Sequence, residues 1–381
     1  MKKSEAVFAL AKLISPTYND KYTLESLLKS IEDDWEMIIH QANRYLLVPV
    51  LYKALQEKDV YKKLEDEMLR GYLYEIYTLN KQRNEAIMIQ VQEMCSLLKN
   101  IEVTPLLLKG STALSEHHFS DNAQRSMMDI DIVVPEVKIF EAVDLLMENG
   151  YKEINPDQKL GEKWHHYKRL YKEEGATSVE LHRMLISYRA MQYMKDFDED
   201  IDTQFATTIK NAKVFTPTYE LYYTFLHAEV AHEYHDNIIT LRHLHHSAVL
   251  ITKYQNEIDF KKIQMYVKKY KLETTWYEYL WLLQQLFSIT LPVHTPAMIR
   301  YEKQVCRKLD SEGSSIWFLE RFIQRTQKAF SFISLQNKYD TLNYPYQLIY
   351  FIPKRFIFLS YKIITDKKRR KTILQGIKKT V

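Results

Sequence analysis

Three acidic residues are the clearest candidates for chemistry in this 381-residue chain. Asp129 and Asp131 lie two residues apart in MDIDIVVP, whose alternation and Ile/Val content predict a strand. Side chains two apart on a strand leave the same face, so these carboxylates must lie close together. Like charges at that spacing repel unless a cation lies between them, and oxygen ligands favour Mg²⁺ or Mn²⁺. The later strand TSVELHRML offers Glu180 as a third carboxylate, with His182 on the same face.

A glycine-serine turn lies upstream of the acidic residues. Lys109, Gly110 and Ser111 stand between the short apolar run VTPLLL and the predicted helix STALSEHHF. Gly110 allows a backbone to approach a ligand closely, and Ser111 is predicted to be the N-cap. The free N–H groups of a helix N-terminus suit a phosphate. The order of these elements therefore predicts a combined phosphate and metal site.

The elements around these residues divide the chain into three regions. Residues 1–100 read as helical, with an apolar stripe at helical spacing formed by Ile87, Val91, Met94 and Leu98. Residues 101–190 read as a small mixed α/β centre that contains two strand-helix units. Two further strands, joined by a hairpin turn at Gly175, complete this centre. Residues 191–381 read as helical again and end in a basic tail.

The second predicted helix of the centre is EVKIFEAVDLLMENG. Its apolar residues Val137, Phe140, Val143 and Met147 lie on one side, which predicts that this side is buried. Gly150 is its predicted C-terminal stop.

At LLLKGSTAL, RSMMDIDIVVP and VELHRML the chain resembles the uncharacterised bacterial nucleotidyltransferase family of the DNA-polymerase-β superfamily. The resemblance covers about residues 105–186. It implies an α+β fold, with a small mixed polymerase-β-like sheet, helices on one face, and flanking N- and C-terminal helical regions. The third acid of this family is commonly Asp, and Glu180 is one methylene longer. In the later LRHLHH segment, His245 and His246 stand where the family usually has Asp.

The resemblance also implies a reaction. Asp129 and Asp131 would bind two divalent cations, Mg²⁺ or Mn²⁺, with Glu180 on the catalytic one and Ser111 near the triphosphate of an NTP substrate. The implied reaction is transfer of NMP to an unidentified hydroxyl acceptor, by in-line attack with pyrophosphate leaving. The alternative is a catalytically silent scaffold or binding protein that retains the nucleotidyltransferase frame.

Several single residues admit two interpretations. Lys109 and Arg125 could contact phosphate oxygens or pair with acids at the surface. His182 could be an active-site hydrogen-bonding group or a buried, satisfied imidazole. The histidine-rich segment 227–246 suggests zinc, but HEYHD does not match H-E-x-x-H, and His232 and His235 read more simply as polar helix residues.

Repulsion between the two aspartates predicts a measurable effect. Replacing Asp129 or Asp131 by Asn should leave stability in metal-free buffer unchanged or raise it.

Composition sets the remaining expectations. With 46% hydrophobic and 27% charged residues, the chain reads as a folded, water-soluble protein, and the absence of a signal-peptide pattern favours the cytoplasm. Two distant cysteines encode no disulfide framework. Residues 352–381 hold ten Lys or Arg against one acid, Asp366, so the rest of the chain is mildly acidic. This distribution disfavours a nucleic-acid partner and leaves a small-molecule or protein acceptor. It also allows weak contact of the tail with an anionic membrane surface, which removal of residues 366–381 should abolish.

Overall fold

The fold is described from a computed structural model, which covers residues 1–18, 20–158, 160, 164–187, 190–197, 205–207, 212–231, 241–293 and 299–311. The chain forms two compact units, Met1–Ile299 and Arg300–Val381. All the candidate site residues belong to the first unit. The basic tail and the pair His232 and His235 lie outside the described residues.

The N-terminal region is helical, as predicted. Its helices are α1 (Lys3–Leu13), α2 (Lys21–Ser30), α3 (Trp35–Arg44), α4 (Val48–Glu57) and the long α5 (Glu67–Lys99). Aspartates begin two of them: Asp20 accepts a hydrogen bond from the backbone N–H of Thr23, and Asp66 accepts one from Leu69. Such caps satisfy amides that have no partner within the helix.

The predicted apolar stripe of α5 is confirmed, since Ile87, Val91, Met94 and Leu98 are each 0% exposed. They pack in one cluster with inward-facing residues of the sheet strands. The burial of this stripe fixes α5 against one face of the sheet.

A seven-stranded mixed sheet forms the centre of the first unit, in the order β3-β4-β5-β2-β1-β7-β6. The strands are β1 (Leu106–Leu107), β2 (Asp129–Val133), β3 (Tyr151–Glu153), β4 (Leu170–Lys172), β5 (Ser178–His182), β6 (Phe205–Thr207) and β7 (Lys213–Phe215). β2 runs parallel to β5 and antiparallel to β1. β4 pairs antiparallel with β5 across the turn that contains Gly175, which confirms the predicted hairpin. The predicted α+β architecture is confirmed.

Strands β6 and β7 correct one prediction. The chain beyond residue 191 was expected to be helical, yet both strands pair there, and β7 extends the sheet by pairing parallel with β1. Each strand has three residues, which is too short for alternation to be recognisable in a sequence.

Two shorter helices flank the central strands, α6 (Gly110–Ser115) and α7 (Ile139–Glu148). The predicted buried face of α7 is wrong: Val137, Phe140 and Met147 are 92%, 58% and 45% exposed. A separate 3₁₀ turn, Glu136–Lys138, precedes the helix, so Val137 is not part of it. The residues of α7 that face the core are Ile139, Ala142, Val143 and Leu146. Gly150, at φ +90°, follows the helix as the predicted stop.

Among the described residues of the first unit, four α-helices follow the sheet: α8 (Pro217–Leu226), α9 (Leu241–Lys253), α10 (Phe260–Lys269) and α11 (Glu273–Phe287). Pro217 opens α8, a position where its missing N–H costs nothing. Every residue of α8 from Thr218 to Leu226 is buried, so this helix is central in the unit.

The described residues of the second unit, 300–311, belong to helix α12 (Ile299–Ser311). Among the helices that the structure describes, none is long and apolar enough to cross a bilayer.

Candidate metal and nucleotide site

The register of two neighbouring parallel strands brings the three acidic residues together. Asp131 on β2 lies opposite Glu180 on β5, and Asp129 lies opposite Ser178. The alternating residues Ile130 and Leu181 point into the core that α5 and α7 cover. The carboxylates therefore share the other face, as strand alternation predicted. We call Asp129, Asp131 and Glu180 the acidic site.

Protein cations lie directly against the acidic site. Lys109 Nζ is 2.7 Å from Asp131 Oδ1, and Arg169 Nη2 is 2.5 Å from Glu180 Oε1 and 3.1 Å from Asp129 Oδ2. Two positive charges thus partly neutralise three negative ones. Sequence reasoning did not find Arg169. It lies just before β4, the strand next to β5, but the sequence carries no motif around it.

The pKa values of the two aspartates are shifted in opposite directions. Burial alone would raise the pKa of Asp131, but Lys109 and His182 outweigh burial, so the pKa is lowered. For Asp129, burial followed by repulsion from Asp131 and Glu180 raises the pKa, against the charges of Lys109 and Arg169. Asp131 is therefore the firmly ionised member of the pair, and Asp129 carries the cost of repulsion.

His182 hydrogen-bonds to a member of the acidic site and is also buried, at 2% exposed. Its Nε2 lies 2.9 Å from Asp131 Oδ1. An ionised carboxylate only accepts hydrogen bonds, so Nε2 must carry the proton. Burial lowers the pKa of His182, against the opposing effect of Asp131. Its Nδ1 has no hydrogen-bond partner and, in the neutral ring, is a free acceptor inside the site.

The turn after β1 brings Lys109 to the acidic site. Lys109 has φ 56°, a region that residues other than glycine seldom adopt. It is also the N-cap of α6, which corrects the prediction for Ser111. Ser111 lies inside the first turn, 0% exposed, and its hydroxyl has no hydrogen-bond partner. A Cβ on Gly110 would lie 3.0 Å from Met127 Cβ, so close packing requires glycine there.

Arg125 is buried rather than paired at the surface. It is 5% exposed, and its Nε and Nη1 have no hydrogen-bond partner. Helix α5 fixes its position, because Asn84 Nδ2 donates to the carbonyl oxygens of Asn122 and Arg125, each at 2.7 Å. Burial, followed by the charge of Arg242, lowers the pKa of Arg125. Two unused guanidinium donors at such a site suit an anionic ligand.

Helices α8 and α9 add residues that sequence reasoning missed. Arg242 at the start of α9 is near enough to Asp129 and Asp131 for their charges to raise its pKa, although burial outweighs them and lowers it. Tyr223 on α8 is 1% exposed, and its pKa is raised by burial first and then by the charges of Asp131 and Glu220. The LRHLHH segment pointed towards α9, whereas no motif marks α8.

The acidic site has a donor set that fits a divalent cation. Three possible ligand atoms lie within 4.8 Å of one another, one each from Asp131, Glu180 and His182. Asp129 adds a carboxylate on the same face. Carboxylate oxygens on neighbouring strands, with cationic donors beside them, can hold metal ions and orient a phosphate.

Comparison with known proteins identifies the family of the chain. The chain belongs to the family described as uncharacterised nucleotidyltransferase, whose family model matches residues 32–288. The match begins in the N-terminal helices and covers the whole sheet and helices α8–α11. The family match supports the assignment of the chain as a transferase. No match was found among the curated proteins or the solved structures.

Proposed function

We propose that the chain transfers a nucleoside monophosphate from an NTP to a hydroxyl group of a small molecule or a protein. The acceptor oxygen would form a bond to the α-phosphorus while the bond from that phosphorus to the bridging oxygen breaks, and pyrophosphate leaves. The observation that carries the proposal is the convergence of three carboxylates on one face of two parallel strands.

Asp129, Asp131 and Glu180 would hold Mg²⁺ or Mn²⁺. Two such ions, when bound, supply charge stabilisation for the attacking and leaving oxygens. Within the chain, His182 fixes the orientation of Asp131 through its 2.9 Å hydrogen bond. Glu180 would assist in removing the proton of the acceptor hydroxyl, either directly or through water.

The positive groups around the acidic site suit the triphosphate. Arg125 has unused donors, Arg242 is close to the aspartates, and Lys109 already lies beside Asp131. We propose that these three residues neutralise phosphate oxygens and that the buried Ser111 hydroxyl contributes a hydrogen bond. In this arrangement the carboxylates would bind the metal and the basic residues would bind the triphosphate.

A catalytically silent scaffold or binding protein is the second candidate. It is favoured by one observation: Arg169 already contacts both Asp129 and Glu180, so part of the charge of the acidic site is satisfied within the protein. A scaffold would keep this contact and never bind a divalent cation.

Label transfer tests the proposal. The full-length protein is incubated with each α-³²P-labelled NTP, Mg²⁺ or Mn²⁺ and a cell extract as the source of acceptor, and labelled products are isolated. We expect label in one product. This product should form with the wild-type protein and the divalent cation, and it should be absent when either is left out. Measurable binding of Mn²⁺ and NTP without a labelled product would mean that the extract lacks the acceptor. Failure to bind either one would support the scaffold.

A further inference from the structure

A second cluster of titratable side chains is made of residues outside the acidic site. His118 follows α6, Glu220 lies on α8 and His246 lies on α9, and they are 5%, 1% and 2% exposed. One donor atom of each lies within 4.8 Å of the others, and His118 Nδ1 is 2.9 Å from His246 Nε2. We call these three residues the histidine-glutamate cluster. It shares no residue with the acidic site.

Glu220 is the unusual member of this cluster. Neither of its carboxylate oxygens has a hydrogen-bond partner, although Thr224 and Arg125 are near enough to affect its titration. Arg125 does not satisfy it, since the Nε and Nη1 of that guanidinium also lack partners. A buried carboxylate without a partner is costly, and native proteins supply such groups with a proton, a cation or a metal.

We propose that His118, Glu220 and His246 bind a transition-metal ion of the zinc class. Two imidazole nitrogens and one carboxylate oxygen are a donor set that zinc uses, whereas Mg²⁺ prefers oxygen ligands alone. Tetrahedral bonds of about 2.0–2.1 Å place neighbouring ligand atoms about 3.3 Å apart. The two imidazole nitrogens need to separate by only about 0.4 Å from their present contact to accept the ion.

The environment supports the ligand form of the two histidines, whereas burial raises the pKa of Glu220 to about 8, so zinc would have to displace its proton. Burial, followed by the charges of Lys253 and Arg125, lowers the pKa of His118 to about 3. The ring is therefore neutral at physiological pH, as a metal ligand must be. The same two charges oppose a cation, so we expect this site to bind zinc less tightly than sites without neighbouring cations.

Bound zinc would have a structural effect. It would join α8 and α9 to the segment between α6 and Arg125, and so link the C-terminal helices to the loop that leads into β2. Binding to the native state alone would stabilise the fold by mass action. This inference does not depend on the proposed transfer activity.

Metal analysis of the full-length, tag-free protein tests the inference. After dialysis against zinc-containing and then metal-free buffer, we expect about one zinc per chain in wild type. The same content should remain in the double variant Asp131→Asn, Glu180→Gln, which disrupts the other group of possible metal ligands among the described residues. Co²⁺ titration of the wild type should give the intense visible absorption of a tetrahedral site.

Variants within α9 provide the matched comparison. His246→Asn should lower the affinity for zinc by more than about tenfold, the loss typical of a residue that contacts a ligand rather than the metal. His246→Cys should bind zinc nearly as wild type does, because a thiolate is also a zinc ligand. His245→Asn is the control, since His245 is equally buried but contacts the carbonyl oxygen of Ile14.

Three results would overturn the inference. They are a wild-type protein that retains neither zinc nor cobalt, a zinc content that falls only in the acidic-site double variant, and equal zinc in His246→Asn and wild type. Because the first result needs no variant, the inference can be refuted even if His246→Asn fails to fold.

Discussion

Two faces of the same two strands show how differently buried surfaces can be stabilised. On one face of β2 and β5, Ile130, Ile132, Val179 and Leu181 are each 0% exposed and pack against α5 and α7. On the other, Asp131, Glu180 and His182 are only 2–7% exposed. Burial is therefore nearly equal on both faces. The apolar face needs only close packing, whereas the polar face needs Lys109 and Arg169 beside its carboxylates.

The polar face is itself uneven. Asp131 has a cation and an imidazole within 2.9 Å, whereas Asp129 has one contact, with Arg169 at 3.1 Å. The expectation that neutralising either aspartate leaves stability unchanged or raises it therefore applies to Asp129 alone. For Asp131 we now expect a loss, because Asn would leave Lys109 without its counter-charge.

The largest expected effect is on activity. Asp131→Asn removes a metal ligand on the polar face and should lower label transfer at least about a thousandfold, which corresponds to about 4 kcal/mol of transition-state stabilisation. Asp144→Asn, on the exposed side of α7, is the matched control and should retain wild-type transfer. Equal activity of the two variants would exclude Asp131 from the site.

The next largest effect is a loss of stability when a residue of the apolar face is truncated. Leu181→Ala should lower the free energy of unfolding by about 2–5 kcal/mol, because the residue is fully buried and its removal leaves a cavity. Val137→Ala should change it by less than about 0.5 kcal/mol, since Val137 is 92% exposed. Urea denaturation measures both. Similar losses would mean that the buried face of β5 or the exposed position of Val137 is assigned wrongly.

A smaller effect should appear in metal affinity. Arg169 competes with a cation for Asp129 and Glu180, so Arg169→Leu should tighten Mn²⁺ binding by up to about fivefold. The gain is modest because the Arg169 side chain is 45% exposed, and it should shrink at high salt. Lys168→Leu is the control, because Lys168 pairs with Glu153 instead. Weaker Mn²⁺ binding in Arg169→Leu would show that Arg169 supports the metal rather than competing with it.

The smallest effect is a pH dependence in metal-free buffer. The raised pKa of Asp129 means that the folded protein binds this proton more tightly than the unfolded chain, so ionisation of Asp129 destabilises the fold at higher pH. Asp129→Asn should therefore be slightly more stable than wild type at pH 7. The difference should disappear as the pH falls through the raised pKa, where the wild-type side chain is also neutral. A constant difference across this range would contradict the assignment.

Local patterns were enough to predict the centre of the molecule. Alternation in MDIDIVVP and TSVELHRML predicted β2, β5 and the shared face of the carboxylates, and Gly175 marked the hairpin. The helical stripe of α5 was equally clear. In each case the spacing within one element determines which side chains are buried.

The remainder depended on contacts between distant segments. Arg242 and Tyr223 approach β2 from helices about ninety or more residues later, and nothing in a single sequence marks that approach. The face of α7 was misplaced because a 3₁₀ turn shifted the start of the helix. The residue type of Ser111 predicts an N-cap, whereas Lys109 occupies that position with a positive φ.

Mn²⁺ binding, followed by electron paramagnetic resonance with a non-hydrolysable NTP analogue, tests most directly whether the polar face is a metal-dependent nucleotide site. We predict that wild type binds Mn²⁺ more tightly when the analogue is present, and that Asp131→Asn and Glu180→Gln lose this binding while remaining folded. Wild-type protein that binds no Mn²⁺ with the analogue, or variants that bind it as wild type does, would contradict the account.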